Sequence, residues 1–251
     1  VKAVATGTLR TLAFGEPGAG MWGCAWADGE ACVAVAGTAA DDAPLAIADA
    51  AITGSRADEP WSVVADGLEL TAAAFGRAAV VEALGGFDQL CRVTGTVRLG
   101  GADRQVEALG RRAVRAGLDF SRLDSLRDLS AWFAPDEGLA LTSMRPRGAK
   151  GHDRDTLAAT VFGEDGPRPV ADPRLSSTYG RDGRLLHTGL ELWLDAENDQ
   201  QYPRRAAADA IGEAVRVERG GITVTAWPLR WHSRGEEGPG VYVLARLSTH
   251  A

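Results

Sequence analysis

The chain has 251 residues, of which 45% are hydrophobic and 24% charged. This globular balance excludes a disordered or fibrous protein, and the length is that of one large domain or two small ones. No apolar run approaches the ~18 residues of a membrane-spanning helix, and 27 basic against 34 acidic residues leave a net charge of −7, which argues against nucleic acid or an anionic bilayer as the main partner.

Alternation with a period of two dominates the chain, as half-buried strands require. Trp22 and Trp26 share the parity of a strand that leads into Asp28-Gly29, with residues 31–36 returning. A three-residue turn at 27–29 would set Cys24 opposite Cys32; a two-residue turn at Asp28-Gly29 would put them on opposite faces. Val63-Val64-Ala65, Asp66-Gly67 and Leu68-Glu69-Leu70-Thr71 read as a second hairpin. Val93, Val97 and Leu99 then alternate with Thr94, Thr96 and Arg98, with Gly95 in the apolar phase and Gly100-Gly101 as the break. Residues 131–138 open a hairpin that returns through 139–144, and Leu190, Leu192 and Leu194 alternate with Glu191 and Trp193. Residues 214–217 and 222–225 flank Arg219-Gly220-Gly221, and Val241, Val243, Ala245 and Leu247 complete the series. Asp-Gly recurs at 28–29, 66–67, 165–166 and 182–183, a pair that tolerates the positive φ of hairpin turns. Two segments carry helical propensity instead: residues 121–129, enough for two turns, and 203–211, with Pro203 first and alanines after it. Sheet context can override either, so both stay open.

Each half of the chain contains an Ala-Trp hairpin (25–36 and 131–144) followed by the word Gly-Leu-Glu-Leu (67–70 and 189–192). Two coincidences in the same order favour a tandem repeat, with a boundary near 120–128. Lys2 and Lys150 are the only lysines, so arginine fills nearly every basic position and reads as ordinary surface rather than a phosphate site. Cys24, Cys32 and Cys91 are odd in number and match no metal spacing. Buried reduced thiols and a cytoplasmic location are therefore expected, with no disulfide framework and no metal. No basic and apolar leader is visible at Val1, so no signal peptide is expected.

Residues 86–97 (GFDQLCRVTGTV), 109–112 (LGRR), 145–152 (RPRGAKGH) and 189–193 (GLELW) resemble a group of actinobacterial proteins similar to the carotenoid 1,2-hydratase (hydroxyneurosporene synthase) superfamily. That resemblance implies two lipocalin-like β-barrels in tandem. It also implies chemistry on carbon–carbon double bonds or polyene cyclisation, generally without a cofactor. Relatives of the hydratase type carry a Gly-x-Arg-Asp-His-x-Trp-Gly motif between the domains. The matching stretch here runs from Gly110 to Gly117 as GRRAVRAG, keeping the framing glycines and losing Asp, His and Trp. Protonating an alkene needs a positioned acid, so the obvious donor is gone.

Asp119 and Asp124 follow that stretch and would substitute as acids if buried in a barrel mouth; helix capping or solvation is the plainer role. His152 sits in a polar loop and has the pKa range of a proton shuttle. His187, Glu191 and Trp193 share one strand face opposite Leu190, Leu192 and Leu194, and so face either water or a lumen. Asp119, His187 and Glu191 are the expected catalytic residues; Trp26, Trp132, Trp193, Tyr179 and Trp231 are the expected ligand-binding ones. Across Pro228 the phase of Trp227 and Trp231 is not fixed. No Gly-x-Ser-x-Gly elbow, phosphate-binding glycine loop, His-x-x-x-His pair or Cys-x-x-Cys occurs, so serine-hydrolase, nucleotide and zinc chemistry have no support.

The expected fold is all-β: two tandem lipocalin-like antiparallel barrels, residues 1–120 and 121–251, with a small-molecule cavity in at least one. The expected function is a cofactor-independent hydratase, isomerase or cyclase acting on a hydrophobic isoprenoid- or polyketide-like molecule. The alternative is a non-catalytic carrier of a lipid-like ligand, and a weaker third reading is a carbohydrate-binding sandwich. An acid or imidazole pointing into the cavity would separate the first two.

Overall fold

The computed structural model describes residues 7–18, 20–29, 31–38, 44–151, 154–194 and 202–248. His152 lies outside them. The first ten strands are β1 (Gly7–Gly15), β2 (Met21–Asp28), β3 (Ala31–Thr38), β4 (Leu45–Ile47), β5 (Ala51–Thr53), β6 (Trp61–Ala65), β7 (Leu68–Ala74), β8 (Ala79–Val81), β9 (Gly86–Leu99) and β10 (Ala102–Leu118). A 3-10 turn at Phe120–Arg122 leads into β11 (Leu123–Ala134), β12 (Glu137–Pro146), β13 (Thr156–Phe162), β14 (Arg168–Tyr179) and β15 (Leu185–Leu194). The chain ends through β16 (Arg204–Ala210), β17 (Val215–Arg219), β18 (Ile222–Ser233) and β19 (Glu236–Leu247).

The strands divide between two antiparallel sheets. The first runs β4-β3-β2-β1-β10-β9-β7-β6-β5, with β8 also on β9. It curls until Ala50 N–H donates to Cys32 O at 3.1 Å, but among the described residues no ladder joins its edges. The second runs β16-β15-β14-β13-β12-β11-β19-β18-β17, and an added β16–β18 ladder closes eight of its strands into a barrel with β17 left beside β18. In both sheets the first strand pairs with the last, β1 with β10 and β11 with β19. The fold is two tandem lipocalin-like barrels, the first a curled half-barrel and the second closed. Among the described residues no helix is long and apolar enough to cross a membrane.

Alternating side chains fill three layers rather than two. Leu12, Phe14, Ala34, Val63, Leu70 and Val93 fill the first interior. Leu129, Leu141, Val161, Leu190, Leu192 and Trp231 fill the second. A third cluster lies where the outer faces of the sheets stack: Leu9, Trp22, Trp26, Val33 and Phe120 meet Leu126, Trp132, Val217, Val224 and Val243. Strands at this seam are therefore buried on both faces, which a lone barrel would not require.

Both helix-prone segments are strands. Residues 204–210 form β16, which pairs with β15 and β18 and so completes the barrel. A helix there would leave two strand edges without backbone partners, a cost larger than alanine's helical preference. Residues 121–129 supply only the end of the 3-10 turn before β11 begins. Cys24 pairs with Val35 and Cys32 with Ala27, because the turn begins after Asp28, which pairs with Ala31. The two thiols consequently face different layers, seam and first interior, and all three cysteines are buried and outside any disulfide. The repeated words fall on non-equivalent strands. Trp26 is on the second strand of its sheet and Trp132 on the first of the other.

Candidate functional site

Three places carry the chemistry-bearing side chains, and the seam is the first. The Gly110–Gly117 stretch lies in β10, where alternation sends Arg111 and Arg115 into the seam and Arg112 into the first barrel. Arg111 donates from Nε to Asp88 Oδ1 at 2.9 Å and from Nη1 to Asp128 Oδ2 at 2.7 Å. Arg115 Nη2 donates to Asp88 Oδ1 at 2.6 Å and to Thr142 Oγ1 at 3.0 Å, and Thr142 donates on to Asp128 Oδ1 at 2.7 Å. Thr11 and Ser130 complete the shell. All seven side chains are buried. Burial alone would raise the Asp88 carboxyl, but the Arg111 and Arg115 guanidiniums hold it below its ordinary value. A carboxylate so held is a clamp between the sheets and a poor proton donor.

Arg112, fully buried, plugs the first barrel. Its guanidinium donates to Gln89 Oε1 at 2.8 and 3.0 Å and to the carbonyls of Ala57 and Glu59, and lies 5.3 Å above the Trp61 ring. The loop before β6 is thereby drawn over the barrel, which is filled by this cation and the Trp61 indole. Asp119 is at the domain junction, not in a barrel mouth. It caps the 3-10 turn by accepting from Ser121 N–H at 2.9 Å, and that hydroxyl and N–H hold its carboxyl below the usual range. Asp124 is exposed, 4.0 Å from Arg145.

The outer wall of the second barrel is the second place. Leu190, Leu192 and Leu194 point inward, so His187, Glu191 and Trp193 point out. His187 Nδ1 lies 3.0 Å from Asp209 Oδ1, Arg205 Nε donates to Glu191 at 3.2 Å, and the Arg174 guanidinium sits 5.9 Å over Trp193. The fold gathers Glu191 and Trp193 around Arg174 on a solvent-facing ladder, with His187 further along. Trp26 and Trp132 are at the seam, Trp26 edge-on to Phe120 at 6.2 Å.

The third place is the mouth of the second barrel, an open hollow of about 700 Å³. Turn residues Asp182 and Arg184 and the segment around Glu213 form one side; Thr223, Thr225, Leu244 and Arg246 form the other, with Trp227 as the floor. The Trp227 indole Nε1 is buried without a hydrogen-bond partner. Its ring meets Tyr242 edge-on at 5.6 Å, and Tyr242 Oη is 2.9 Å from Tyr179 Oη and 3.5 Å from Ser177 Oγ. Burial, reinforced by Tyr179, pushes the Tyr242 phenol far above its usual range, so it stays protonated. Tyr179 packs against the interior cluster of the second barrel and does not line the hollow, and Trp231 is fully buried in the same barrel.

Tyr242, Arg216 and Arg246 went unremarked in the sequence and Trp227 was left without a phase, although the signal was present. In β18 the apolar set Ile222, Val224 and Ala226 faces the seam, and Thr223, Thr225 and Trp227 face the barrel. The greasier set points out of the barrel because the neighbouring sheet covers it. Pro228 does not shift the phase, since it falls between the residues that pair with β17 (222–226) and those that pair with β16 (229–232).

No family model matches the chain, and no curated protein sequence does. Solved structures do. A crystal structure of a Nitrosomonas europaea protein designated a candidate AttH superposes with a TM-score of 0.66 at 9% identity, over 97% of this chain and 93% of that one. CghA superposes with a TM-score of 0.59 at 12% identity, over 98% and 90%. The tandem-barrel fold is shared. At such identities the likeness speaks for architecture alone.

Proposed function

We propose that the protein binds a hydrophobic small molecule, isoprenoid- or polyketide-like in character, in the mouth of the second barrel. The observation that carries this is the hollow of about 700 Å³ floored by Trp227; among the described residues five indoles have a buried N–H without a partner, and Trp227 is the one of the five that lines the hollow. A buried donor left unmade costs about 1–3 kcal/mol, and a ligand acceptor would recover it. Both seam carboxylates, Asp88 and Asp128, are paired with guanidiniums and the first barrel is plugged by Arg112, so neither offers comparable space. We place the chain with the relatives of the carotenoid 1,2-hydratase superfamily, in units 1–120 and 121–251; the framing glycines Gly110 and Gly117 and the tandem-barrel fold support this. Three buried thiols outside any disulfide support a cytoplasmic setting.

A second reading, cofactor-independent hydration, isomerisation or cyclisation in the same hollow, is favoured by the Tyr179–Tyr242 phenol pair one layer below the floor. A protonated phenol donates a hydrogen bond or a proton to a developing oxyanion or carbanion without any cofactor. Asp119, His187 and Glu191 take no part in either reading, because none of them lines the hollow or packs in the barrel interior behind Trp227.

Titration with the neutral fluorophore N-phenyl-1-naphthylamine tests the site. Trp227→Phe, which keeps the ring area and removes the N–H, should weaken binding several-fold, and Trp193→Ala on the outer wall should not. Equal binding by wild type and Trp227→Phe, or loss in Trp193→Ala alone, would move the site elsewhere.

A further inference from the structure

The lip of the second barrel is built from opposite charges that do not cancel. Arg184 lies 3.1 Å from Glu213, and Asp182 accepts the Arg184 backbone N–H at 3.1 Å, so that side is internally engaged. Arg216 and Arg246 are exposed and, among the described residues, lie within ion-pair distance of no carboxylate. Strand register fixes where they stand. Arg216 in β17 is opposite Thr225 in β18, and Arg246 in β19 is opposite Thr223 in β18. The two guanidiniums thus flank two threonines on the sheet face that carries Trp227 and Leu244 into the barrel. Glu218 is on that face opposite Thr223 but does not line the hollow. Three guanidiniums against two carboxylates leave the lining one charge positive in a chain whose net charge is −7.

We propose, resting on the small-molecule reading above, that the ligand is an amphipathic carboxylate: its head group lies between Arg216 and Arg246, and its apolar body runs down onto Leu244 and Trp227. A guanidinium presents paired donors that match a carboxylate's two oxygens, and two of them on one rim can share one monoanion. A monoanion brings the whole lining, three guanidiniums against two carboxylates, to neutrality, whereas a dianion would leave it one charge negative. The greasy floor and charged rim together select a molecule with one ionised end, which neither a neutral terpene nor a sugar supplies.

Calorimetric titration with decanoate and with methyl decanoate, both below micellar concentration, separates this from the reading beneath it. The acid should bind about tenfold more tightly than the ester, since a charge-assisted hydrogen bond is worth about one decade or more in affinity. That ratio should fall toward one in the Arg216→Gln/Arg246→Gln double variant and shrink as salt is raised. A wild-type ratio near one with the ester still bound would overturn the carboxylate assignment and leave the cavity reading standing. A preference that survives in the double variant would place the head group elsewhere and overturn it too. Binding of neither probe would take down both.

Discussion

At the scale of single residues, the seam shows how alternate arginines of one strand become a buried clamp. Asp88 accepts from two guanidiniums in a buried layer, and every partner is supplied by a strand of one sheet or the other. Networks of this kind add little net stability over apolar packing, but removing one member leaves an uncompensated buried charge. Asp88→Asn should therefore destabilise the protein by about 3–5 kcal/mol in urea unfolding; a change under ~1 kcal/mol would show the network to be solvated. The acid limb follows from the same pair. The Asp88 carboxyl is held below its ordinary 3.8 in the folded state, so its contribution is complete above that value and is lost as pH falls through the lower folded one. Stability of the wild type should fall below pH ~4, and Asp88→Asn should flatten that limb. None of this was legible beforehand. The sequence displays Arg111, Arg112 and Arg115 as a run of surface-like arginines, and only the stacking of two sheets turns alternate ones inward.

At the scale of elements, alternation and turn chemistry carried most of the information. The Asp66-Gly67 turn joins Ala65 to Leu68, and Gly100-Gly101 joins Leu99 to Ala102 as the alternation implies. Propensity failed where a strand was needed to close the barrel, at 204–210, because the ladder bonds of β16 are worth more than the helical bias of its alanines. The side of each strand was half legible. Period two separates the faces but does not say which is inside, and at β18 and β19 the more apolar face belongs to the seam. Close strand approach was not legible at all. Near the start of β19, a Cβ on Gly240 would stand 2.2 Å from Ser130 O and 2.4 Å from the Trp231 ring. Gly240→Ala should cost at least ~2 kcal/mol, since overpacking against backbone has no easy relief; a neutral effect on the urea midpoint would mean that β11 and β19 lie further apart than described.

At the scale of the whole molecule, the seam makes two barrels into one body. Its apolar cluster draws residues from both sheets, and the Arg111–Asp128 pair crosses between them at 2.7 Å. Neither sheet keeps its outer face buried if the other unfolds. Urea unfolding followed by tryptophan fluorescence and by circular dichroism should give one coincident transition; two separated steps would show the barrels to be independent. The tandem plan was legible through the resemblance, but the repeated words from which it was also read were not a guide to it, since they sit on strands with different partners. The hollow was expected inside a barrel and is found at one end of the second, where Thr223, Thr225 and Trp227 meet the 182–184 turn.

The central claim is that this mouth, and neither the seam nor the first barrel, receives the ligand. Hydrogen exchange followed by mass spectrometry, with and without saturating N-phenyl-1-naphthylamine, reads that choice directly. Slower exchange confined to residues 182–185, 213–216, 223–227 and 242–247 is the predicted result. Protection appearing instead over residues 8–26 and 86–92, or over 54–63, would contradict it.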